Sequence, residues 1–125
     1  MIIRILGAAL LVGCAHLAPD PNETASLLVA NVTRISEEYA NINTDLSGKM
    51  LARRGIVLDR TFELRHKDRT LPARLSTDYG DVERGEWVAL IEDDGNLQIA
   101  ISFGHAATEL GCVTGDTLYI TPLAP

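Results

Sequence analysis

The 125-residue sequence predicts a mainly β fold, a small antiparallel β-barrel with one or two short helices. Apolar runs of strand length alternate with turns rich in Gly, Asp and Asn, which is the pattern of an all-β domain. Helix formers closed by a glycine occur around residues 45–54 and 104–111. Apolar residues make up 46% of the chain and charged residues 22%, a composition typical of one globular domain with a single core.

The first predicted elements are a strand and a short helix. In residues 27–35 polar and apolar side chains alternate around Val32, which is typical of a strand entering a barrel. Residues 45–54 predict a short helix, because Asp45 or Ser47 can cap its start and Gly55 can close its end.

A charged hairpin comes next. Residues 61–65 and 70–75 have strand character, and the charged segment 66–69 between them is expected to form the tip. Pro72 has no amide hydrogen to donate, so it must lie at a strand edge or a bulge.

The C-terminal half predicts a second hairpin, a helix and a last strand. The apolar run Trp87–Ile91 is expected to be buried on both faces. The run 97–101 alternates, so one of its faces is expected to meet water, and Asp-Gly in residues 93–96 favours a turn over a calcium loop. A helix over 104–111 and a strand over 117–121 complete the fold.

Two blocks resemble a known family. Residues 39–46 read Tyr-Ala-Asn-Ile-Asn-Thr-Asp-Leu and precede a short helix that ends in Gly55-Ile56. Residues 79–120 contain Tyr-Gly-Asp, Gly-Glu, an apolar strand, a turn, Gly-His-Ala-Ala and Gly-Asp in that order. Together, over about residues 27–121, they are similar to the C-terminal β-barrel domain of the S-adenosylmethionine hydroxide adenosyltransferases.

The resemblance implies an adenine-like ligand site at Asn41 and Tyr79. Asn41 would offer its amide to a base edge, and Tyr79 occupies the position of the family's stacking aromatic residue. From the residues alone, Tyr39, Tyr79 and Trp87 are each expected to pack in the core or at its rim rather than to stack on a ligand.

The resemblance also implies what this chain is not expected to do. In the family an N-terminal domain supplies the reacting groups, and this sequence has no room for one, so no catalytic residue is predicted. Ser36 stands where the family commonly has an aspartate, and Ala40 replaces a motif glycine. Asp93 and Asp94 would repel a methionine carboxylate, which argues against recognition of methionine.

The N-terminus predicts a bacterial lipoprotein. Residues 1–13 have the apolar core of a signal peptide, and Leu-Val-Gly before Cys14 resembles the box in which the cysteine is acylated. Residues 14–25 would form a polar tether and residues 26–125 the single domain, held at a membrane of the cell envelope. The alternatives are a buried first strand with an incidental cysteine and a misassigned start codon.

Charge and spacing argue against several functions. The net charge of −6 makes nucleic acid a poor partner, because phosphate binding depends on a basic surface. His16, His66 and His105 are far apart and are expected in a tether, a hairpin tip and a helix start. Cys112 is expected to be a small apolar residue beside the last strand, so no metal site is predicted.

The sequence therefore predicts a non-catalytic, membrane-anchored module that binds a ligand or a protein, including a second copy of itself. The alternative is an adenosyl-binding component of a split S-adenosylmethionine-cleaving enzyme, completed by a separate N-terminal domain. A purely structural envelope lipoprotein is a third hypothesis. No cofactor is predicted, and S-adenosylmethionine and adenosine are the ligands to test.

Overall fold

A computed structural model describes residues 27–123, which form a closed seven-stranded barrel in the order β1-β2-β6-β5-β4-β3-β7. The strands are β1 (Leu28–Ile35), β2 (Ile42–Ser47), β3 (Thr61–His66), β4 (Arg69–Leu75), β5 (Trp87–Ile91), β6 (Asn96–Ile101) and β7 (Thr117–Pro122). The helices are α1 (Gly48–Arg53), α2 (Ala106–Leu110) and a 3₁₀ turn at Tyr79–Asp81. The prediction of a mainly β barrel with short helices is confirmed. The predicted domain boundary at residue 26 lies outside the described residues.

The strands alternate between the barrel interior and its surface. In β3 the inward residues Phe62 and Leu64 are fully buried, and in β7 Leu118 and Ile120 are buried in the same way. Register pairs Leu64 with Ile120, so these inward side chains meet across the sheet. Burial of such apolar side chains, at roughly 1.5–3 kcal/mol each, is the main force that closes the barrel.

One strand pair departs from the antiparallel prediction. Among the described residues, β4 and β5 run parallel, with Arg74 opposite Val88 and Leu75 opposite Ala89. A parallel pair needs a crossover rather than a tight turn. Here the crossover is residues 76–86, which include the 3₁₀ turn and return the chain to the start of β5.

The prediction that β6 shows one face to water is wrong. Residues 97–101 are all buried, although they alternate in sequence. The inward face of β6 joins the main core. On the other face, Ala100 packs with Val88 and Leu90 of β5 and with Val82 of the crossover. Because the crossover covers this outer face, alternation did not lead to exposure.

The helix predicted over 45–54 is shorter in the structure. Asp45 and Leu46 belong to β2, and α1 begins only after Ser47, whose side chain caps it by accepting from the Met50 amide at 3.2 Å. Asp45 instead accepts from the Asn31 amide at 2.9 Å and so ties β2 to β1. The Asp45 side chain is therefore used to join two strands and is not available as the helix cap.

Two further local predictions are confirmed, those for the glycine that closes α2 and for Pro72. In β5, which was expected to be buried on both faces, residues 88–90 are buried but Ile91 is 40% exposed. Helix α2 ends at Gly111, whose φ of 72° is the left-handed conformation that favours glycine at a helix C-terminus. Pro72 is exposed and pairs with Glu63 of β3, at a point where β4 has no pairing with β5. Within residues 27–123, no helix is long and apolar enough to cross a membrane.

Candidate functional site

Three segments meet to form a pocket beside the outer face of β6. Tyr39 and Asn41 come from the connection before β2, Tyr79 from the 3₁₀ turn, and Phe103 and Gly104 from the turn after β6. With Ile101 they line a cavity of about 410 Å³. This volume lies within the range of roughly 300–1,000 Å³ that is usual for small-molecule sites. Asn41 and Tyr79, 38 positions apart in sequence, are thus neighbours, and their role in ligand binding stays a prediction.

Gln98 forms the polar base beneath these residues. Its Oε1 accepts from the Tyr79 hydroxyl at 2.6 Å and from Asn41 Nδ2 at 3.4 Å. Its Nε2 donates to Asn43 Oδ1 at 3.0 Å and to Glu92 Oε1 at 3.4 Å. Because Gln98 is only 4% exposed, this network is required to satisfy its amide. It fixes the positions of Tyr79 and Asn41.

The network continues to Ser36. Asn43 Nδ2 donates to Ser36 Oγ at 3.0 Å, so a chain of hydrogen bonds leads from Ser36 through Asn43 and Gln98 to Tyr79. Ser36 thus serves the base of the site and does not line the pocket. Asp93 and Asp94 are in the exposed turn between β5 and β6, as predicted, and also do not line the pocket.

Tyr79 keeps its hydroxyl proton well into the alkaline range. Burial is the main cause of its raised pKa, and the negative charges of Glu92 and Asp78 act in the same direction, against a hydrogen bond from Asn41 that lowers it. The phenol is therefore a donor to Gln98 at neutral pH. Asp78 also caps the 3₁₀ turn by accepting from the Gly80 amide at 2.8 Å, which positions the ring.

The rim of the pocket is aromatic and open to solvent. Tyr39 is 56% exposed, Phe103 is 76% exposed and Tyr79 is 38% exposed. The Arg84 guanidinium lies 4.2 Å from the centre of the Phe103 ring, close enough for a cation–π contact. Exposed aromatic rings around a cavity provide faces on which a planar ligand can stack.

Two residues of the site have left-handed backbones that are unfavourable for them. Ala40 has a φ of 53° and Phe103 has a φ of 57°. Such conformations cost roughly 1–2 kcal/mol for residues other than glycine, and strain of this kind often occurs at functional sites. A glycine, which the sequence resemblance implies for the family's motif at this position, would avoid the strain carried by Ala40. Its carbonyl accepts from the Ala107 amide at 2.9 Å, which links this turn to α2.

Gly104 is a close-contact position in the pocket wall. A Cβ at this residue would lie 2.6 Å from Ile101 Cγ2, a distance at which atoms overlap. Glycine therefore allows the chain to fold tightly over the end of β6, with the Gly104 amide donating to the Ile101 carbonyl at 3.0 Å. This tight turn presents Phe103 at the rim.

Sequence reasoning missed Gln98, Phe103 and Gly104 as parts of this site. Gln98 was expected to face water, and its only signal was a polar residue in an otherwise apolar strand. His66 was placed at a hairpin tip, but it is the last residue of β3 and only 3% exposed. His105 is the N-cap residue of α2, at the helix start as predicted, and Cys14 and His16 lie outside the described residues.

The fold and the site define a small β-barrel domain with an aromatic pocket on its flank. The sequence model of the SAM hydroxide adenosyltransferase C-terminal domain matches residues 31–119. The chain therefore belongs to this family, and the sequence-based resemblance is confirmed.

Two solved structures share the fold. An uncharacterized conserved protein from Thermotoga maritima is 22% identical with a TM-score of 0.72, and the alignment covers 76% of this chain and 36% of that protein. A conserved hypothetical protein from Thermus thermophilus is 20% identical with a TM-score of 0.56, over 85% of this chain and 40% of that protein. This chain thus spans well under half the length of these relatives. No curated protein matches the sequence.

Proposed function

We propose that this domain is a non-catalytic binding module that holds a planar, adenine-like group in the pocket formed by Asn41 and Tyr79. The observation that carries the proposal is the meeting of a buried amide with three exposed aromatic rings around one cavity. Stacking on such rings contributes roughly 1–3 kcal/mol per base in proteins that bind nucleic bases. The amide would then select among planar ligands.

The hydrogen bonds of Asn41 suit a nitrogen heterocycle. Its Nδ2 makes two long contacts of 3.4 Å, to Gln98 and to Tyr79, which a ring nitrogen of the ligand could replace. Its Oδ1 accepts no hydrogen bond within residues 27–123, so it can accept from an exocyclic amine. Adenine presents such a donor and such an acceptor side by side.

The lining of the pocket favours binding over reaction. The six residues that line it are three aromatic residues, one aliphatic residue, one amide and one glycine. None of them carries a carboxylate, an imidazole or a thiol. The Tyr79 phenol, with its raised pKa, is a poor base at neutral pH. A ligand in this pocket would therefore be recognised without being transformed.

A second candidate function follows from the share of the relatives that this chain covers. Residues 31–119 match a domain described as C-terminal, and the solved relatives are more than twice as long as the matched region. The domain could then complete an S-adenosylmethionine-cleaving site together with an N-terminal domain on a separate chain. Under this alternative the same pocket holds the adenine of the substrate.

Calorimetry of the purified protein with adenosine, and separately with S-adenosylmethionine, tests the proposal. We expect binding heat with adenosine in the wild type, and its loss in Asn41→Ala and in Tyr79→Ala. Tyr119→Ala is the matched control, because Tyr119 lies on β7 and does not line the pocket. No heat up to millimolar ligand, or heat that survives both pocket substitutions, contradicts nucleoside binding and leaves a protein partner or a second copy as the ligand.

Turnover separates the two candidate functions. A binding module leaves S-adenosylmethionine intact when the protein is incubated with it alone. Release of adenosine that appears only after an N-terminal domain of the family is added supports the split enzyme. Release of adenosine by this chain alone contradicts the non-catalytic proposal.

We also propose that the protein is a lipoprotein of the bacterial cell envelope, anchored through Cys14. The sequence Leu-Val-Gly-Cys after an apolar stretch supports this, and three acyl chains would hold it firmly at about 0.8 kcal/mol per buried CH₂ group. Metabolic labelling with a fatty acid should mark the wild type and not Cys14→Ser. An unlabelled wild type, or a label that persists in Cys14→Ser, contradicts the anchor.

A further inference from the structure

Three potential metal ligands from separate segments meet at one end of the barrel. His66 is the last residue of β3, Cys112 follows α2, and Asp116 precedes β7. One ligand atom from each lies within 4.8 Å of the others. None of the three lines the Asn41–Tyr79 pocket, so this cluster is separate from the proposed ligand site.

The barrel places the two buried members of the cluster. His66 continues the inward face of β3 in phase with Leu64 and is 3% exposed. Cys112 is 5% exposed, and its amide donates to the Ala107 carbonyl at 2.9 Å just after α2 ends. Their positions are therefore fixed by the packed core and by the helix.

Asp116 is held from two sides. Its Oδ2 lies 2.9 Å from His66 Nε2 and accepts from the Val113 amide at 3.1 Å. The side chain is 19% exposed, so an ion can reach the cluster from solvent. The carboxylate thus closes the cluster on its open side.

We propose that His66, Cys112 and Asp116 form a binding site for a zinc ion. Imidazole nitrogen, cysteine sulfur and carboxylate oxygen are the three donor types that zinc uses in proteins. Sulfur and imidazole argue against calcium and magnesium, which prefer all-oxygen sites. A thiolate and a carboxylate would neutralise the two charges of the ion, and water would complete the tetrahedron.

The distances are close to those that zinc requires. Bonds of about 2.0–2.3 Å in a tetrahedron place ligand atoms about 3.3–3.8 Å apart. The His66–Asp116 separation of 2.9 Å would open by less than about 1 Å. No two of the three ligand atoms are more than 4.8 Å apart, so the other separations would close by at most about 1.5 Å. Rotation of the Cys112 and Asp116 side chains can supply movements of this size.

Zinc at this position would tie α2 to the barrel. Helix α2 has only five residues, follows the pocket residues Phe103 and Gly104, and is followed at once by Gly111 and Cys112. A bond from Cys112 to zinc would connect the end of this short helix to β3 and β7. The site would therefore stabilise the segment that carries the rim of the pocket.

Titration of the metal-free, full-length protein with Zn²⁺ in competition with a chromogenic chelator tests the proposal. We expect one zinc ion per chain and an affinity at least about 100-fold weaker in Cys112→Ala and in His66→Gln, since even indirect ligand contacts cost 10–100-fold. Cys14→Ser and His105→Gln are the matched controls and should bind as the wild type does. No stoichiometric binding by the wild type, or full affinity in Cys112→Ala, overturns the proposal.

Cobalt gives a spectroscopic readout of the cysteine ligand itself. Co²⁺ added to the wild type should produce a thiolate-to-metal charge-transfer band, which Cys14→Ser should keep and Cys112→Ser should lose. Asp116→Asn should weaken the band while the barrel stays folded by circular dichroism. A wild type without this band shows that Cys112 does not bind the metal, which refutes the site. A band that is lost in Cys14→Ser but kept in Cys112→Ser places cobalt at Cys14 and refutes the site as well.

Discussion

Replacement of Gln98 by leucine tests whether the buried polar base holds the site together. Gln98 makes two short hydrogen bonds: it accepts one from the Tyr79 hydroxyl at 2.6 Å and donates one to Asn43 at 3.0 Å. Each contributes about 1 kcal/mol to the free energy of unfolding. Asn41, which is 8% exposed, would lose a further contact at 3.4 Å. Apolar burial of the leucine offsets part of this loss, so we expect the free energy of unfolding to fall by about 2 kcal/mol.

Urea denaturation followed by circular dichroism measures this change. Tyr79→Phe should lower the free energy of unfolding by about 1 kcal/mol, because it removes the hydrogen bond from the tyrosine hydroxyl to Gln98. The loss stays this small because Tyr79 is partly exposed, so water can reach the site. The double variant should cost less than the sum of the two, with a coupling of about 1 kcal/mol. Asn96→Leu is the control on the same strand, since the Asn96 side chain makes no hydrogen bond among the described residues, and its effect should stay within about 0.5 kcal/mol.

Two results would refute this account. If Gln98→Leu is as stable as the wild type, the polar network does not contribute to folding. If the effects of Tyr79→Phe and Gln98→Leu are additive, the 2.6 Å contact between these residues carries no energy and does not position the tyrosine ring. Adenosine affinity, measured on the same variants, should fall together with the coupling.

Three further predictions concern other positions. Gly104→Ala should lower the free energy of unfolding by about 1–3 kcal/mol in urea melts, because its Cβ would overlap Ile101; unchanged stability contradicts the close contact. The phenolate absorbance that distinguishes wild type from Tyr79→Phe should titrate above pH 10, since the pKa of Tyr79 is raised in the folded protein. The stability that this phenol contributes is complete below pH 10 and is lost as the pH rises through the pKa of Tyr79 in the folded protein. Burial raises the pKa of Cys112 to about 11, so in metal-free Cys14→Ser the thiol should react slowly with iodoacetamide at pH 8 and faster as pH rises towards 11; rapid reaction at pH 8 contradicts the burial.

Local sequence signals were sufficient for most of the elements. Helix α2 and its closing glycine, the Asp-Gly turn between β5 and β6, and the last strand all follow from residues close together in the chain. Capping, turn formation and strand alternation act over a few residues, so they are visible in the sequence. The family motif likewise brought Asn41 and Tyr79 to attention before their contact was known.

Only the tertiary structure decided what surrounds those elements. The crossover 76–86 covers β6, which turned the polar residue Gln98 from a surface side chain into the buried base of the pocket. Barrel closure brought His66 beside Cys112 and Asp116, residues separated by 46 and 50 positions in the chain. The sequence determined the strands, their turns and the family. Burial and the meeting of distant side chains depend on contacts across the closed sheet, which no local pattern specifies.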